Sequence, residues 1–170
     1  MTSQESRITT LLSVDGGITT EHCSENRIVK PDNVKMYVST LRTVYKELFG
    51  KWPRIVQCSG CFDLLHTAHI THFEIARSYG DLLVVSINGD DTVHKLKGKG
   101  RPIFPLEDRL KLVASLRSVT AVTWFNEDLP NDIISKIQPD IYVKGGETTN
   151  IPESEEVFKY GGLRLTPKQG

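Results

Sequence analysis

The stretch Ile55-Val56-Gln57-Cys58-Ser59-Gly60-Cys61-Phe62-Asp63-Leu64-Leu65-His66-Thr67-Ala68-His69 decides how the chain is read. Ile55 to Cys58 is a strand candidate, a Gly-containing turn follows, and a helix is expected from about Thr67 to Tyr79, stopped at Gly80. Gly60 lets the backbone turn tightly and approach a ligand with no Cβ in the way. His66 and His69, three apart at a helix start, lie on one face of its first turn. Unpaired N–H groups and the partial positive charge of a helix N-terminus gather at the same place. Such convergence of donors suits a polyanion.

Downstream, the pattern alternates. Leu82 to Ile87 is a near-continuous apolar run, as expected of a strand buried on both faces. Lys95 to Arg101 reads as a basic, Gly-rich loop, and a helix begins at Pro105-Leu106-Glu107-Asp108. Ala121–Phe125 is a third strand, Asp132–Ile137 a short helix, and Ile141-Tyr142-Val143 a fourth strand running into Lys144-Gly145-Gly146. A last helix over Ser154–Tyr160 and a strand at Leu163-Arg164-Leu165 complete the series. This alternation predicts an α/β fold, a doubly wound parallel sheet with helices on both faces. Ligands in such folds sit outside the C-terminal strand ends, where strand order reverses. Nearly every chemically suggestive residue falls just after a strand.

Residues 1–50 form an N-terminal extension to a main domain at 51–170. Met1 to Pro31 is polar, with a turn-like Asp15-Gly16-Gly17, and reads as a loosely packed leader with a short hairpin. Val34, Val38, Leu41, Val44, Tyr45, Leu48 and Phe49 recur at helical spacing, with Asp32 or Asn33 as cap and Gly50 as stop. This amphipathic helix lays its stripe on the main domain or on a second subunit.

The 170 residues suffice for one domain with a real core. Lys plus Arg and Asp plus Glu both number 21, and without a basic excess duplex binding is disfavoured. Phosphate binding must then be local. No stretch reaches a membrane span or a signal-peptide core, and three cysteines do not suggest a disulfide framework. A cytoplasmic, reduced protein is expected.

Several signals have plainer readings. His66, His69 and His72 invite zinc, but residues six apart lie about 240° around a helix, which strains three-way ligation. Cys58-Ser59-Gly60-Cys61 spells Cys-x-x-Cys, yet the first cysteine ends a strand and the second lies in the turn, so both read as small buried hydrophobes. Lys95, Lys97, Lys99 and Arg101 are either a solvated run or, at Lys97, a ligand. Trp124 reads as core packing, and Glu107 and Arg109 either decorate a helix start or bind.

The segment Gly60-Cys61-Phe62-Asp63-Leu64-Leu65-His66-Thr67-Ala68-His69 resembles the signature of the cytidylyltransferase-like nucleotidyltransferases. The likeness continues in register through Asn88-Gly89-Asp90, Leu96-Lys97-Gly98, Arg101-Pro102, Pro105-Leu106-Glu107-Asp108-Arg109 and Asp140-Ile141-Tyr142-Val143-Lys144-Gly145-Gly146. That series is most similar to the adenylyltransferase branch of ADP-heptose synthesis, and it spans roughly Arg54 to Leu165. It implies a Rossmann-like fold and transfer of AMP from ATP to a sugar 1-phosphate, with release of pyrophosphate. It also implies that His66, His69, Lys97 and Arg109 hold the phosphates, and that Gly60, Cys61, Phe62, Lys144, Gly145, Gly146 and Glu147 wall the nucleotide. Asn88 and Asp90 would take the acceptor, Asp63 would be the carboxylate for Mg²⁺, and a homodimer would be the assembly. Ala68 stands where the signature has glycine. The family pattern also continues into a Ser/Thr-rich turn beyond a segment like Leu165–Gly170, where this sequence ends. A cytidylyltransferase acting on a polyol or aminoalcohol phosphate, or a nucleotide-binding module without turnover, are the alternatives.

Overall fold

The computed structural model describes residues 24–145 and 154–165. The hairpin expected in the leader, together with Gly146 and Glu147, lies outside them. Five strands form one sheet: β1 (Ile55–Gly60), β2 (Leu82–Asn88), β3 (Ala121–Phe125), β4 (Ile141–Val143) and β5 (Leu163–Leu165). All pair in parallel, in the order β3-β2-β1-β4-β5. Helices are α1 (Val34–Phe49), α2 (Thr67–Ser78), α3 (Asp90–Lys97), α4 (Leu106–Ala114), α5 (Asn131–Ile137) and α6 (Ser154–Lys159). The doubly wound parallel sheet is therefore as expected.

Period-two alternation sorts the strand residues onto two faces. Val56, Cys58, Leu83, Val85 and Val122 pack with Phe73 and Ala76 of α2 and Val113 of α4. Ile55, Leu82, Val84, Ala121 and Phe125 pack on the opposite face with α1 and α5. The chain winds outward from β1 to β3, then crosses back to β4. Strand order thus reverses between β1 and β4, and the turns after these strands diverge to leave a crevice.

The apolar stripe of α1 goes to the core: Val34, Val38, Leu41 and Tyr45 are buried against the sheet, while Leu48 stays exposed. Gly50 ends the helix in the left-handed region at φ 72°, its N–H donating to the Lys46 carbonyl. Asn33 occupies the N-cap position but makes no side-chain cap. Two aspartates tie α1 and its exit to the strands. Asp81 accepts from Tyr45 Oη at 2.8 Å, Lys51 Nζ at 2.9 Å and the Arg54 N–H at 2.8 Å. Asp140 accepts from the Ile55 N–H at 2.7 Å and pairs with Arg42 at 3.2 Å.

Two expectations are corrected. Ser24–Arg27 is a turn of 3₁₀ helix, and Ile28 bridges to Val122 beside the β3 edge, so the end of the leader is anchored rather than loose. Arg27 secures it, donating to the carbonyls of Ala114, Leu116 and Val119. The second correction concerns Asp90–Lys97, which is a helix where a loop was expected from Lys95 onward; Lys97 is its last residue.

Leu41 is fully buried, so Leu41→Ala is expected to lower the unfolding free energy by about 3 kcal/mol. Urea denaturation should show a single transition; an early separate step would detach α1 from the folding unit.

Candidate active site

The turn after β1 is shaped by an aromatic ring. Phe62 adopts φ 45°, a left-handed conformation that a bulky residue rarely takes. Its ring then folds back over Gly60, where an added Cβ would stand 3.0 Å from the ring. Space for Phe62, more than freedom of φ, is what Gly60 supplies. The ring also packs on Phe73, with centroids 4.9 Å apart, and meets the His69 ring edge-on at 5.5 Å.

His66 holds the N-cap position of α2, and its carbonyl accepts from the His69 N–H at 2.9 Å. The His66 and His69 rings lie 4.0 Å apart, the first exposed and the second half-buried. They open onto a cavity of about 780 Å³ at the C-terminal ends of β1, β2 and β4. Cys61, Phe62, Asn88, Lys97, Arg101, Lys144 and Gly145 also line it. Ala68 faces the same space, exposed on the first turn of α2. His72 joins the lining, its ring 3.4 Å from where a Gly145 Cβ would be. His72 and Arg101 were missed as site residues. The His-x-x-His-x-x-His spacing did hold the signal for His72, and Arg101 is brought in by the loop after α3.

Arg109 and Asp90 are placed differently from expectation. Arg109 is wholly buried beneath the cavity, outside its lining. Its guanidinium donates to the carbonyls of Phe104 at 3.0 Å, Cys61 at 2.6 Å and Asn88 at 2.8 Å, and pairs with Asp90 at 2.6 Å. Four donors are thereby committed, and Asp90 is held as a counter-ion. Arg109 braces the β1 turn, the end of β2, the start of α3 and the loop before α4; it does not face the cavity.

Asp63 lines the cavity but is committed too. One oxygen accepts from Arg101 at 2.6 Å, and the other accepts from the Ile103 N–H at 2.6 Å and the Phe104 N–H at 3.3 Å. Burial alone would raise its pKa, but these hydrogen bonds outweigh it and hold the carboxyl below the usual range. Among the described residues the remaining carboxylate in the lining is Asp128, an exposed side chain paired with Lys95 at 3.7 Å. Among the described residues the cavity therefore offers no uncommitted carboxylate for magnesium, and Asp63 is a loop anchor. Trp124 packs against the core and is absent from the cavity lining.

Burial lowers the pKa of His69, and the neighbouring His66 and His72 act in the same direction against a hydrogen bond to the Leu64 backbone. Burial lowers His72 as well, and it raises the thiols of Cys58 and Cys61, both free. Raised thiols suit packing rather than redox exchange. Among the described residues no helix is long and apolar enough to cross a membrane.

The Cytidylyltransferase-like family profile matches residues 58–163, which runs from the end of β1 into β5 and takes in the whole cavity floor. The chain belongs to this family. The Bifunctional protein HldE of Pasteurella multocida (strain Pm70) is 40% identical over 129 residues, covering 75% of this chain and 27% of that protein. That of Haemophilus influenzae (strain PittGG) is 42% identical over 129 residues, with the same coverage of 75% and 27%. This chain thus spans about a quarter of the length of the curated relatives it matches. Among solved structures, the lipopolysaccharide core biosynthesis protein from Thermoplasma volcanium GSS1 superposes with a TM-score of 0.58 at 25% identity, over 69% of this chain and 99% of that one. Pantoate-beta-alanine ligase from Francisella tularensis, at 14% identity and a TM-score of 0.54 over 82% of this chain and 66% of that one, shares the fold.

Two outcomes test this geometry. Arg109→Lys is expected to cost about 3 kcal/mol or more of stability, because an ammonium cannot serve four acceptors and leaves buried carbonyls unpaired. Unchanged urea denaturation with lost anion binding would return Arg109 to a ligand role. For His69, the fold favours the neutral ring, so its contribution to stability is present above the unfolded value of 6.5 and declines as pH falls below it. A bound polyanion favours the imidazolium instead. Calorimetry with inorganic triphosphate at pH 7, in buffers of different ionisation enthalpy, should therefore show proton uptake that His69→Gln diminishes; proton release would contradict it.

Proposed function

We propose that this chain transfers AMP from ATP to a sugar 1-phosphate of the heptose type and releases pyrophosphate. The observation that carries the reading is the adjacent pair of imidazoles at the N-terminus of α2, open to a cavity that Lys97, Arg101 and Lys144 also line. The ADP-heptose likeness of the sequence and the relatives named HldE support the choice of acceptor.

An acceptor phosphate oxygen attacks the α-phosphorus of ATP in line, a new P–O bond forms, and the bond to the pyrophosphate oxygen breaks with its electron pair leaving on pyrophosphate. No bond to the protein is made. Both reactants are anions, so the protein's work is alignment and charge compensation. His66 and His69 take the triphosphate and the charge developing on it. Lys97, at the end of α3, and Arg101 close over the phosphates from the other side. Gly60, Cys61 and Phe62 set the backbone against the nucleotide, with Lys144, Gly145, Gly146 and Glu147 forming its wall. Asn88 faces the acceptor. Arg109 and Asp90 position these groups from below. Magnesium belongs to the substrate in this reading, arriving on the triphosphate, since hard cations keep water and phosphate ligands. A homodimer and a cytoplasmic location complete the proposal, on the strength of the family likeness.

Pyrophosphate release should appear with ATP, Mg²⁺ and heptose 1-phosphate and exceed that with CTP, GTP or UTP; turnover with CTP alone would overturn the choice of nucleotide. His69→Ala is expected to cut kcat by at least ~10²-fold, the scale of losing one transition-state donor. Lys97→Ala should raise the KM for ATP as well as slow turnover, and a silent Lys97 variant would make that side chain an ordinary solvated lysine.

A further inference from the structure

The cavity is lined asymmetrically. Its cations and imidazoles belong to α2, the end of α3, the loop after it and the turn after β4, whereas Ser59, Asn88, Phe125, Leu129 and Pro130 line it on the side covered by α5. That second side is neutral apart from Asp128 at its rim, which pairs with Lys95 at 3.7 Å.

Behind it lies a polar band in an otherwise apolar face. Ser59, Ser86 and Thr123 are register partners across β1, β2 and β3, so their side chains share the face of Ile55 and Val84. Gln57, two residues back, donates its Nε2 to Ser86 Oγ at 2.9 Å. Ser59 Oγ, Thr123 Oγ1 and Gln57 Oε1 are buried and have no protein partner, and so is Asn131 Oδ1 at the first turn of α5. Buried polar atoms are normally paired, and leaving one unpaired costs the full desolvation of the group. A packed apolar band of the same shape would hold the sheet to α5 better. Of these residues Ser59 lines the cavity, so its unpaired hydroxyl is the one placed to meet a ligand.

Resting on the reaction proposed above, we propose that this band is the hydroxyl-reading end of the acceptor site. The uncharged, polyhydroxylated end of the acceptor lies on the α5 side against Ser59 and Asn88, while its phosphate turns toward the cations. Ser59 is the specificity residue. Thr123 and Gln57, fully buried and outside the lining, form the polar layer behind it.

The test is steady-state kinetics of the full chain, varying heptose 1-phosphate and ATP separately, for the native protein, Ser59→Ala and Thr123→Val. Ser59→Ala is expected to raise the KM for the sugar phosphate by roughly five- to tenfold, the scale of one hydrogen bond, with the KM for ATP and kcat within about twofold. Thr123→Val, isosteric and relieved of an unpaired hydroxyl, should keep or raise the melting temperature while raising the same KM. A role confined to packing would leave the acceptor KM alone. Native turnover with both acceptor KM values unchanged in the variants overturns this inference and leaves the reaction standing. Absence of native turnover with any sugar phosphate overturns the reaction, and the inference with it.

Discussion

The cavity exists in its present shape because a buried positive charge beneath it is paired and hydrogen-bonded to the segments around it. An isolated guanidinium in the interior would be heavily penalised for losing water. Arg109 avoids this by donating to three carbonyls and pairing with Asp90. Those acceptors belong to the β1 turn, the end of β2, the start of α3 and the loop before α4. A single planar group thus sets four chain segments at fixed separations. Asp63 adds a second clamp from within the turn itself, taking the Arg101 side chain and the backbone N–H groups of Ile103 and Phe104. Lys97 and Arg101 lie on the chain between these two anchors, which explains how cations on an exposed stretch remain aimed at one place.

The strained turn has the same logic at smaller scale. A left-handed Phe62 costs conformational energy, of order 1–3 kcal/mol for such backbone states, and its surroundings offset that cost. The ring occupies the gap that Gly60 leaves and packs on Phe73, and its edge contact helps to fix the orientation of His69. Backbone strain, a missing Cβ and the position of an imidazole are therefore one arrangement rather than three separate features.

The sheet was legible in the sequence because central parallel strands are buried on both faces and read as apolar runs, as Leu82–Ile87 does. Helix α3 was not, because only Thr92 and Val93 of its eight residues are buried and its charged remainder resembles a loop. Thr92 explains part of why it forms: its hydroxyl donates to the Asn126 carbonyl at 2.7 Å, a contact 34 residues away that no local pattern carries. The same limit applied at the site. Histidines at a helix start announced themselves by spacing, whereas the direction of a long side chain depends on what lies beneath it. Arg109 and Asp63 have the right chemistry for phosphate and metal, and tertiary acceptors and donors claimed both. His72 was discounted because three-way ligation from one helix is strained; lining a cavity imposes no such geometric demand.

A chain with no net charge must concentrate its cations to hold a polyanion, and the acidic side chains in and beneath this cavity are each tied to a cation. Asp90 and Asp63 are locked to arginines, and Asp128 sits at the rim beside Lys95. The pKa of His69 is lowered chiefly by burial and then by the two imidazoles near it. A site built only from permanent charges would be repelled by itself whenever empty. A ring whose charged form is disfavoured in the free protein, as at His69, lessens that repulsion and can gain a proton as an anion arrives. The placement of His69 beside two further imidazoles thus suits the phosphate-binding role proposed for this open cavity.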